Sequence, residues 1–326
     1  MRSTPIWRIA SLGNGNPTMD ESPARDTKSL VFWALSANVL VAASKLVISF
    51  ITNSSSVLAE SVHSLVDSLN QFMLLYGMKR SRKEPTVMHP FGYARESYFW
   101  AFMVAVMLFT LGGFFSVYKG VQKLTTPGAQ IEQWLLAYAV LGISAIFEGM
   151  SFHKALQVVR KKRKTLSTFT FLKRCKEPEL IVVFLEDLMA QIGIGIALVG
   201  VGLSHFTGSH IYDAMATIAI GLLLGCMAVF LTLEVRSLMV GEKASQLDEY
   251  KIRRAIRESN TVEEIIKLST QHLGPEEIMV AMSCKFPDYY NYQEIAEAID
   301  NIGDRIRQLV PHAKQIFIEP ELAKDS

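Results

Sequence analysis

The sequence has little cysteine, and none of it is locally paired. Three cysteines occur in 326 residues, at Cys175, Cys226 and Cys284, and no two of them form a C-x-x-C motif. An odd number of widely separated cysteines argues against a disulfide framework and against a structural zinc knuckle. We therefore expect free thiols in a reducing compartment.

The sequence also lacks the motifs of several enzyme and pump classes. It contains no H-E-x-x-H of an intramembrane metalloprotease, no Walker P-loop for ATP-driven pumping and no G-x-S-x-G nucleophile elbow. The net charge is only +2, which gives no sign of nucleic-acid binding. We predict that the protein is not an enzyme, uses no cofactor, binds no nucleic acid and draws its energy from ion gradients.

Long hydrophobic runs, in contrast, are abundant. Half of the residues are hydrophobic, the mean hydropathy is +0.23, and the apolar residues concentrate between Leu30 and Met239. A membrane span needs roughly 20 predominantly apolar residues. Six stretches qualify: Leu30–Ile51, Ser55–Met78, Tyr98–Leu124, Gln133–Val159, Glu179–Ser204 and Ile211–Leu238. They predict a mainly α membrane protein with a six-helix transmembrane bundle over residues 29–240.

Lysine and arginine are missing from three of the predicted loops, Thr52–Ser54, Thr125–Glu132 and His205–His210, and are frequent in the others. Because basic loops stay in the cytoplasm, we expect a multi-pass protein with both termini cytoplasmic and membrane lipids around it. Residues 1–28 are polar and are predicted to be a disordered cytoplasmic segment. They contain no Arg-rich amphipathic helix, which favours a bacterial inner membrane.

The tail, residues 241–326, has the composition of a soluble domain. Helical patterns cover Asp248–Asn260 and Tyr292–Val310, and strand patterns cover Val262–Thr270, Glu277–Phe286 and Gln315–Ile318. The order αββαβ predicts a small cytoplasmic α+β domain of ferredoxin-like type. Its core is small, so we expect it to serve in dimerisation.

Three of the predicted spans, the second, the fourth and the fifth, are expected to carry buried acids. In the second span, Glu60, His63, Asp67 and Asn70 form one polar stripe, because residues three and four apart share a helix face. The fifth span contains Glu186 and Asp187, and the fourth contains Glu148. Buried acids are costly in a bilayer unless they are paired or bind a cation, and imidazole with carboxylates suits a divalent transition metal. The alternative for the stripe is a helix–helix contact held by polar side chains.

Several motifs resemble those of the cation diffusion facilitators, the zinc transporter family. They are Ser54-Ser-Ser-Val-Leu-Ala-Glu-Ser-Val-His-Ser-Leu-Val-Asp67, His89-Pro-Phe-Gly-Tyr-Ala-Arg-Glu96, Asp213-Ala and Ser237-Leu-Met-Val-Gly-Glu242. The chain is most similar to the branch that contains a mitochondrial zinc transporter and its bacterial relatives. The resemblance implies a homodimer that exports cytoplasmic Zn²⁺, or a similar divalent cation, in exchange for H⁺ by alternating access.

The resemblance also implies a ligand set. His63 and Asp67 match the two ligands of the second span, and Asp187 matches the second ligand of the fifth. The first ligand of the fifth span falls on Val183, which cannot coordinate a metal. Water, Glu186, Asn70 or Glu148 are candidates to complete the shell, and Glu60 is a candidate for the ion pathway.

A weaker accessory site is suggested at His89, which matches one histidine of the family's loop between the second and third spans. Tyr93 stands where another ligand is common. In the tail, Met282 and Phe317 occupy the family's usual binuclear metal positions. Neither binds zinc well, so we expect dimerisation rather than metal sensing from this domain.

Three alternatives remain open from the sequence. An oxygen-rich shell would shift the preference towards Co²⁺, Ni²⁺, Fe²⁺ or Mn²⁺. The same buried site could serve a divalent-metal channel or a metal-responsive membrane receptor. A structural membrane scaffold is the third alternative, and the buried acids and histidine argue against it.

Overall fold

The structure, a computed structural model, describes residues 22–52, 55–125, 134–163, 166–209 and 211–321. Within its helices, the side chains of residues 22–26, 37, 45, 48–52, 55–64, 134 and 136–137 lie outside the described set. His63 and Glu60 therefore lie on a described helix, and the contacts of their side chains are outside the described set.

Long helices follow one another through the apolar part of the chain. They are α1 (Ser22–Thr52), α2 (Ser55–Ser81), α3 (Glu96–Met107), a π-helical segment (Leu108–Phe114), α4 (Phe115–Thr125), α5 (Trp134–Arg163), the short α6 (Thr168–Arg174), α7 (Pro178–Thr207) and α8 (Ile211–Val240). The π-helical segment joins α3 to α4 in one continuous helix. The six predicted spans therefore correspond to α1, α2, α3–α4, α5, α7 and α8, and their ends agree within a few residues except at the start of α1.

The helices have the apolar character of membrane spans. In the described part of the chain, four segments are long and apolar enough to cross a membrane: Thr27–Ser44, Glu96–Thr125, Pro178–Thr207 and Ile211–Val240. The helices α2 and α5, of 27 and 30 residues, are long enough but contain more charged and polar side chains. The protein is thus a mainly helical membrane-type protein, and the count of six spans stays a prediction.

The start of α1 corrects one boundary of the sequence analysis. Residues 1–28 were expected to be disordered, but the helix begins at Ser22. Thr27 is 2% exposed, donates to Glu177 and accepts from Lys162 Nζ at 2.9 Å. Contacts with Lys162 of α5 and with Glu177, the residue before α7, support this end of α1, and a local composition argument cannot detect them.

Close backbone approach joins α4 and the π-helical segment to α8. A Cβ atom on Gly221 of α8 would lie 2.7 Å from Val117 N and 2.9 Å from Gly113 O. These contacts are with backbone atoms, so the glycine is needed for the helices to meet. Between α4 and α8, Lys123 also forms an ion pair with Asp213.

The tail forms a three-stranded sheet with two helices. Its elements are α9 (Gln246–Ser259), β1 (Glu264–Gly274), β2 (Glu277–Lys285), α10 (Tyr292–Leu309) and β3 (Ala313–Pro320). The central strand β2 pairs antiparallel with β1 and parallel with β3. Ile252, Ile256, Val280, Ile302 and Ile306 lie in its buried core. The predicted order αββαβ is confirmed, and β1 and β3 are longer than predicted.

The tail is attached to the end of α8 through β1. Gln271 Nε2 donates to Val240 O at 3.1 Å, His272 N to Glu242 O at 2.7 Å, and Ala244 N to Thr270 Oγ1 at 3.0 Å. These three hydrogen bonds join the 240–244 segment to the edge strand of the sheet. They fix the tail close to the helix ends that lead into the membrane-type bundle.

Candidate metal-transport site

A carboxylate of α7 and two amides of α2 form the best-defined polar contact inside the bundle. Asn70 Nδ2 lies 3.1 Å from Glu186 Oε1, and Gln71 Nε2 lies 2.8 Å from Glu186 Oε2. All three side chains are buried. The polar stripe predicted on the second span therefore does face the fifth span at Asn70.

The neighbouring carboxylate, Asp187, is directed to a different helix. Ser151 Oγ of α5 donates to Asp187 Oδ2 at 2.8 Å, and both residues are buried. Adjacent helical residues point about 100° apart, so Glu186 contacts α2 whereas Asp187 contacts α5. Asp187 thus lies between the helices that correspond to the fourth and fifth predicted spans.

Asp67 of α2 and Glu148 of α5 complete a group of acids. Asp67 lies close enough to interact electrostatically with both Glu186 and Asp187, and Glu148 interacts with Asp187. Like charges in a medium of low polarity repel strongly. Such a group is stable only with bound protons or cations, as expected for an ion pathway.

The described residues do not by themselves complete a metal cage. Among them, no three His, Cys, Asp or Glu side chains are close enough together to hold a metal ion. His63 lies one helical turn before Asp67 on α2, and its side chain, like that of Glu60, is outside the described set. The ligand set His63, Asp67 and Asp187 therefore stays a prediction.

The position that lacks a family ligand is filled by core packing. Val183 is fully buried in the hydrophobic cluster of the bundle, together with Ile181, Val182 and Phe184. It lies one turn before Asp187 on α7. Pro178 at the first turn and Gly208 in the left-handed conformation delimit this helix, in agreement with the usual helix start and stop signals.

The accessory candidate His89 lies in the loop between α2 and α3. It is exposed, its backbone N–H donates to Thr86 O at 3.0 Å, and its ring stands 4.5 Å from the ring of Tyr93. Lys83 Nζ lies over the ring of Tyr93, 5.0 Å from the centre of that ring. These contacts describe a compact loop, and the role of His89 in metal binding stays a prediction.

A cavity of about 260 Å³ lies between the bundle and the tail, and its lining does not include Asp67, Glu148, Glu186 or Asp187. Its walls include Glu177 just before α7, Glu179 in its first turn, Glu276 of the β1–β2 turn, Glu277 at the start of β2, and Lys314 of β3. Glu179 is buried and accepts a hydrogen bond from Ser97. The cavity is mixed in charge and belongs to the face that we expect to be cytoplasmic.

The cysteines are free. Burial raises the pKa of the Cys175 thiol to about 12 and that of Cys284 to about 11. Both thiols therefore stay protonated near neutral pH, and a protonated thiol is a poor metal ligand.

Two residues of the site were missed by the sequence analysis, Gln71 and Ser151. Gln71 follows Asn70 directly, and Ser151 lies three residues after Glu148, on the same face of α5. The three-residue spacing from Glu148 is a signal that could have identified Ser151. The position of Gln71 next to Asn70 could not have identified Gln71. Whether one or both of two adjacent side chains face a neighbouring helix depends on how the helices are rotated.

A bundle of apolar helices that buries a group of carboxylates defines a polytopic membrane protein with an internal polar site. The sequence also matches one known family of membrane proteins. The profile described as "Cation efflux transmembrane domain" matches residues 31–240, which is most of the bundle. The chain therefore belongs to the cation efflux family, the cation diffusion facilitators.

Individual relatives come from plants, animals and bacteria. Metal tolerance protein C4 of Arabidopsis thaliana is 33% identical over 246 residues, 74% of this chain and 53% of that protein. The mitochondrial proton-coupled zinc antiporter SLC30A9 of Xenopus laevis is 27% identical over 304 residues, 91% of this chain and 54% of that protein. Magnetosome protein MamB of Paramagnetospirillum magneticum is 22% identical over 296 residues, 90% of this chain and 94% of that protein. The chain spans about half the length of the first two.

Proposed function

We propose that this chain exports Zn²⁺ from the cytoplasm in exchange for H⁺. The observation that carries the proposal is the group of acids within the bundle, where Asp187 of α7 lies within electrostatic reach of Asp67 of α2. The name of the relative SLC30A9, a proton-coupled zinc antiporter, supports the same cargo and coupling. His63, Asp67 and Asp187 are the proposed ligands of the transported ion.

The chemistry of these groups links metal and proton binding. A metal ligand must be neutral imidazole or ionised carboxylate, so the site binds the cation or the protons but not both. Histidine has a reference pKa of about 6.5, which makes this exchange efficient near neutral pH. Metal enters the deprotonated site from the cytoplasm, and protons displace it on the far side after the helices have rearranged.

The preference for zinc follows from the ligand types. One nitrogen, two carboxylates and one open position is a known arrangement for zinc. A shell of oxygens alone would favour manganese or magnesium. Co²⁺, Ni²⁺, Fe²⁺ and Mn²⁺ are the competing cargoes, and their relative uptake measures how far His63 sets the preference.

The assembly and placement complete the proposal. We propose a homodimer in a bacterial inner membrane, with both termini and the α+β tail in the cytoplasm and lipids around α1, α3–α4 and α8. The basic residues near the cytoplasmic ends of α2 and α5 agree with this orientation.

The direct test is metal uptake into proteoliposomes with an imposed pH gradient. Asp67→Ala and Asp187→Ala should each abolish Zn²⁺ accumulation while leaving the dimer intact on size-exclusion chromatography. Glu234→Gln, a carboxylate of α8 outside the group, is the matched control and should retain transport. Full transport in both alanine variants would refute the site. Uptake that runs down a Zn²⁺ gradient but never against one would indicate a channel.

A further inference from the structure

Each oxygen of the Glu186 carboxylate has its own donor on α2. Asn70 Nδ2 is 3.1 Å from Oε1 and Gln71 Nε2 is 2.8 Å from Oε2. Asn70 and Gln71 are both 0% exposed. Two donors from adjacent residues fix the direction of the carboxylate as well as its position, and they hold it against α2.

The two amides donate these hydrogen bonds while their own oxygens stay without a donor. Among the described residues, none donates a hydrogen bond to Asn70 Oδ1 or Gln71 Oε1, although both atoms are buried. A buried acceptor without a partner destabilises the fold, and apolar side chains of similar size would avoid that cost. Among the described contacts, the hydrogen bonds to Glu186 are the ones that offset it, so the pair is best explained as a holder of this carboxyl group.

If the hydrogen bonds from Asn70 and Gln71 were lost, the Glu186 side chain could turn towards the proposed metal ligands. Glu186 lies beside Asp187, and Asp67 is near enough to interact with both. One turn earlier on α7, Val183 occupies the position from which a fourth ligand would otherwise come. A Glu186 side chain that turned from α2 towards the proposed metal would add a third carboxylate to the shell.

We propose that Asn70 and Gln71 determine the metal specificity of this transporter by keeping Glu186 out of the metal shell. The inference rests on the proposed function, in which His63, Asp67 and Asp187 bind the cargo. With Glu186 held on α2, the shell keeps one nitrogen among three protein ligands, which suits zinc. With Glu186 released, the shell becomes richer in oxygen and more favourable to Mn²⁺. Both amides are positioning residues, because they act through Glu186.

The test replaces the amides by apolar side chains of similar size. Asn70→Leu, Gln71→Met and the double variant are reconstituted, and the ratio of kcat/KM for Zn²⁺ to that for Mn²⁺ is measured at one pH. We expect the double variant to lower this ratio by roughly tenfold or more, the size of change that a single interaction produces. An unchanged ratio in the double variant would overturn the proposal.

A second comparison asks whether the change acts through Glu186. In the Glu186→Gln variant, residue 186 cannot supply a third carboxylate. Adding the Asn70 and Gln71 substitutions to this variant should therefore leave its zinc-to-manganese ratio unchanged. A shift of the same size in this background would show that the amides act by another route, and the proposal would be wrong.

Gln191→Met provides the matched control. Gln191 is also an amide between helices of the bundle, and its Nε2 donates to Ala145 O of α5 at 3.3 Å. Its loss should leave the metal ratio unchanged. If it shifts the ratio as much as the Asn70 and Gln71 variants do, general loosening of the bundle is the cause and the proposal fails.

A binding measurement and a second pair of variants complete the test. Competition between Zn²⁺ and Mn²⁺ for the solubilised protein reports the same metal preference without turnover. If Asn70→Leu or Gln71→Met does not fold, alanine at the same position takes its place. Failure of the proposed function is recognised separately. Transport that survives Asp67→Ala and Asp187→Ala removes the metal site, whereas an unchanged ratio with those variants inactive removes only the role of the amides.

Discussion

Lys176 and Glu242 form an ion pair that ties the connection between α6 and α7 to the segment that leaves α8. Burial alone would raise the pKa of Glu242, but hydrogen bonds from Lys176 and Ser237 outweigh it and lower this pKa below its ordinary value of 4.5. The backbone carbonyl of Glu242 also accepts from His272 N of β1. One residue therefore links the bundle, the end of α8 and the tail.

Loss of this ion pair should loosen the attachment of the tail. Lys176→Met removes a partly exposed pair, so we expect a loss of about 1 kcal/mol or less in unfolding free energy. Hydrogen exchange should become faster in residues 241–245 and in β1. Lys314→Met breaks a longer pair with Glu277, 3.4 Å apart within the tail, and should leave exchange in residues 241–245 unchanged. Equal protection of that segment in wild type and Lys176→Met would contradict the role of the pair.

Acidification should weaken the same joint through His272. Burial lowers the pKa of His272 below its ordinary value of 6.5, and Lys176 acts in the same direction, although a hydrogen bond to Gly274 opposes both. Because the folded state binds this proton less well than the unfolded state, the contribution to stability is complete above pH 6.5 and decreases as the pH falls below that value.

The measurement is thermal unfolding of the solubilised protein between pH 7.5 and pH 5. His272→Gln should flatten the decline in Tm below pH 6.5, whereas His312→Gln, at an exposed position of the same domain, should leave it as in wild type. An identical pH profile in all three proteins would show that His272 does not titrate with unfolding.

The contact between α4 and α8 should tolerate a methyl group at one glycine and not at another. A Cβ on Gly221 would lie 2.7 Å from Val117 N, whereas nothing lies within 4 Å of a Cβ on Gly225, four residues later on α8. Overpacking of this kind costs about 1–3 kcal/mol. We expect Gly221→Ala to lower the Tm in detergent and Gly225→Ala to keep or raise it. The reverse order would mean that the two helices do not meet as described.

The core of the tail should depend on Ile302. This side chain is completely buried between α10 and the sheet, so Ile302→Ala should cost about 2–5 kcal/mol. Protection of the β2 amides against hydrogen exchange reports the change in the full chain. Tyr292→Ala, at a site that is 79% exposed, is the control and should change stability by about 0.5 kcal/mol or less. Equal protection in both variants would place Ile302 outside the core.

A histidine at position 183 should strengthen zinc binding if that corner of the shell is open. Val183→His restores a nitrogen ligand one turn before Asp187, whereas Val182→His puts the same group about 100° further round the helix. Both valines are fully buried, so both substitutions carry the same risk of overpacking. Competition between Co²⁺ and Zn²⁺, followed by the cobalt spectrum, should show tighter binding only for Val183→His. Equal affinity in the two variants would indicate that another group already fills the position.

Much of the architecture was predictable from local sequence. The long apolar runs marked α1, α3–α4, α7 and α8, and the alternation of patterns in residues 246–320 marked the αββαβ order. The short helix α6 and the π-helical segment Leu108–Phe114 were not predicted. Neither has a distinctive period, since α6 is seven residues long and the π-helical segment continues an apolar helix without a break.

The candidate site was predictable only in part. Asp67, Asp187 and Glu186 stood out because ionised groups are rare within apolar helices. That Glu186 meets Asn70 and Gln71, while Asp187 meets Ser151, was not predictable, because a helical pattern gives the angle between neighbours but not the rotation of the whole helix against the next one.

By itself, the sequence determined which segments are helices, that they suit a membrane, and which polar residues lie within them, because length, period and composition act along the chain. The tertiary structure decided which of those polar residues share a site and which donors hold each carboxylate. It also decided that α1 starts at Ser22, through Thr27, and that β1 joins the tail to the end of α8. These contacts join residues that are distant in the chain, such as Val240 and Gln271, 31 positions apart, and Thr27 and Lys162, 135 positions apart. They depend on helix rotation and packing, which a local pattern does not encode.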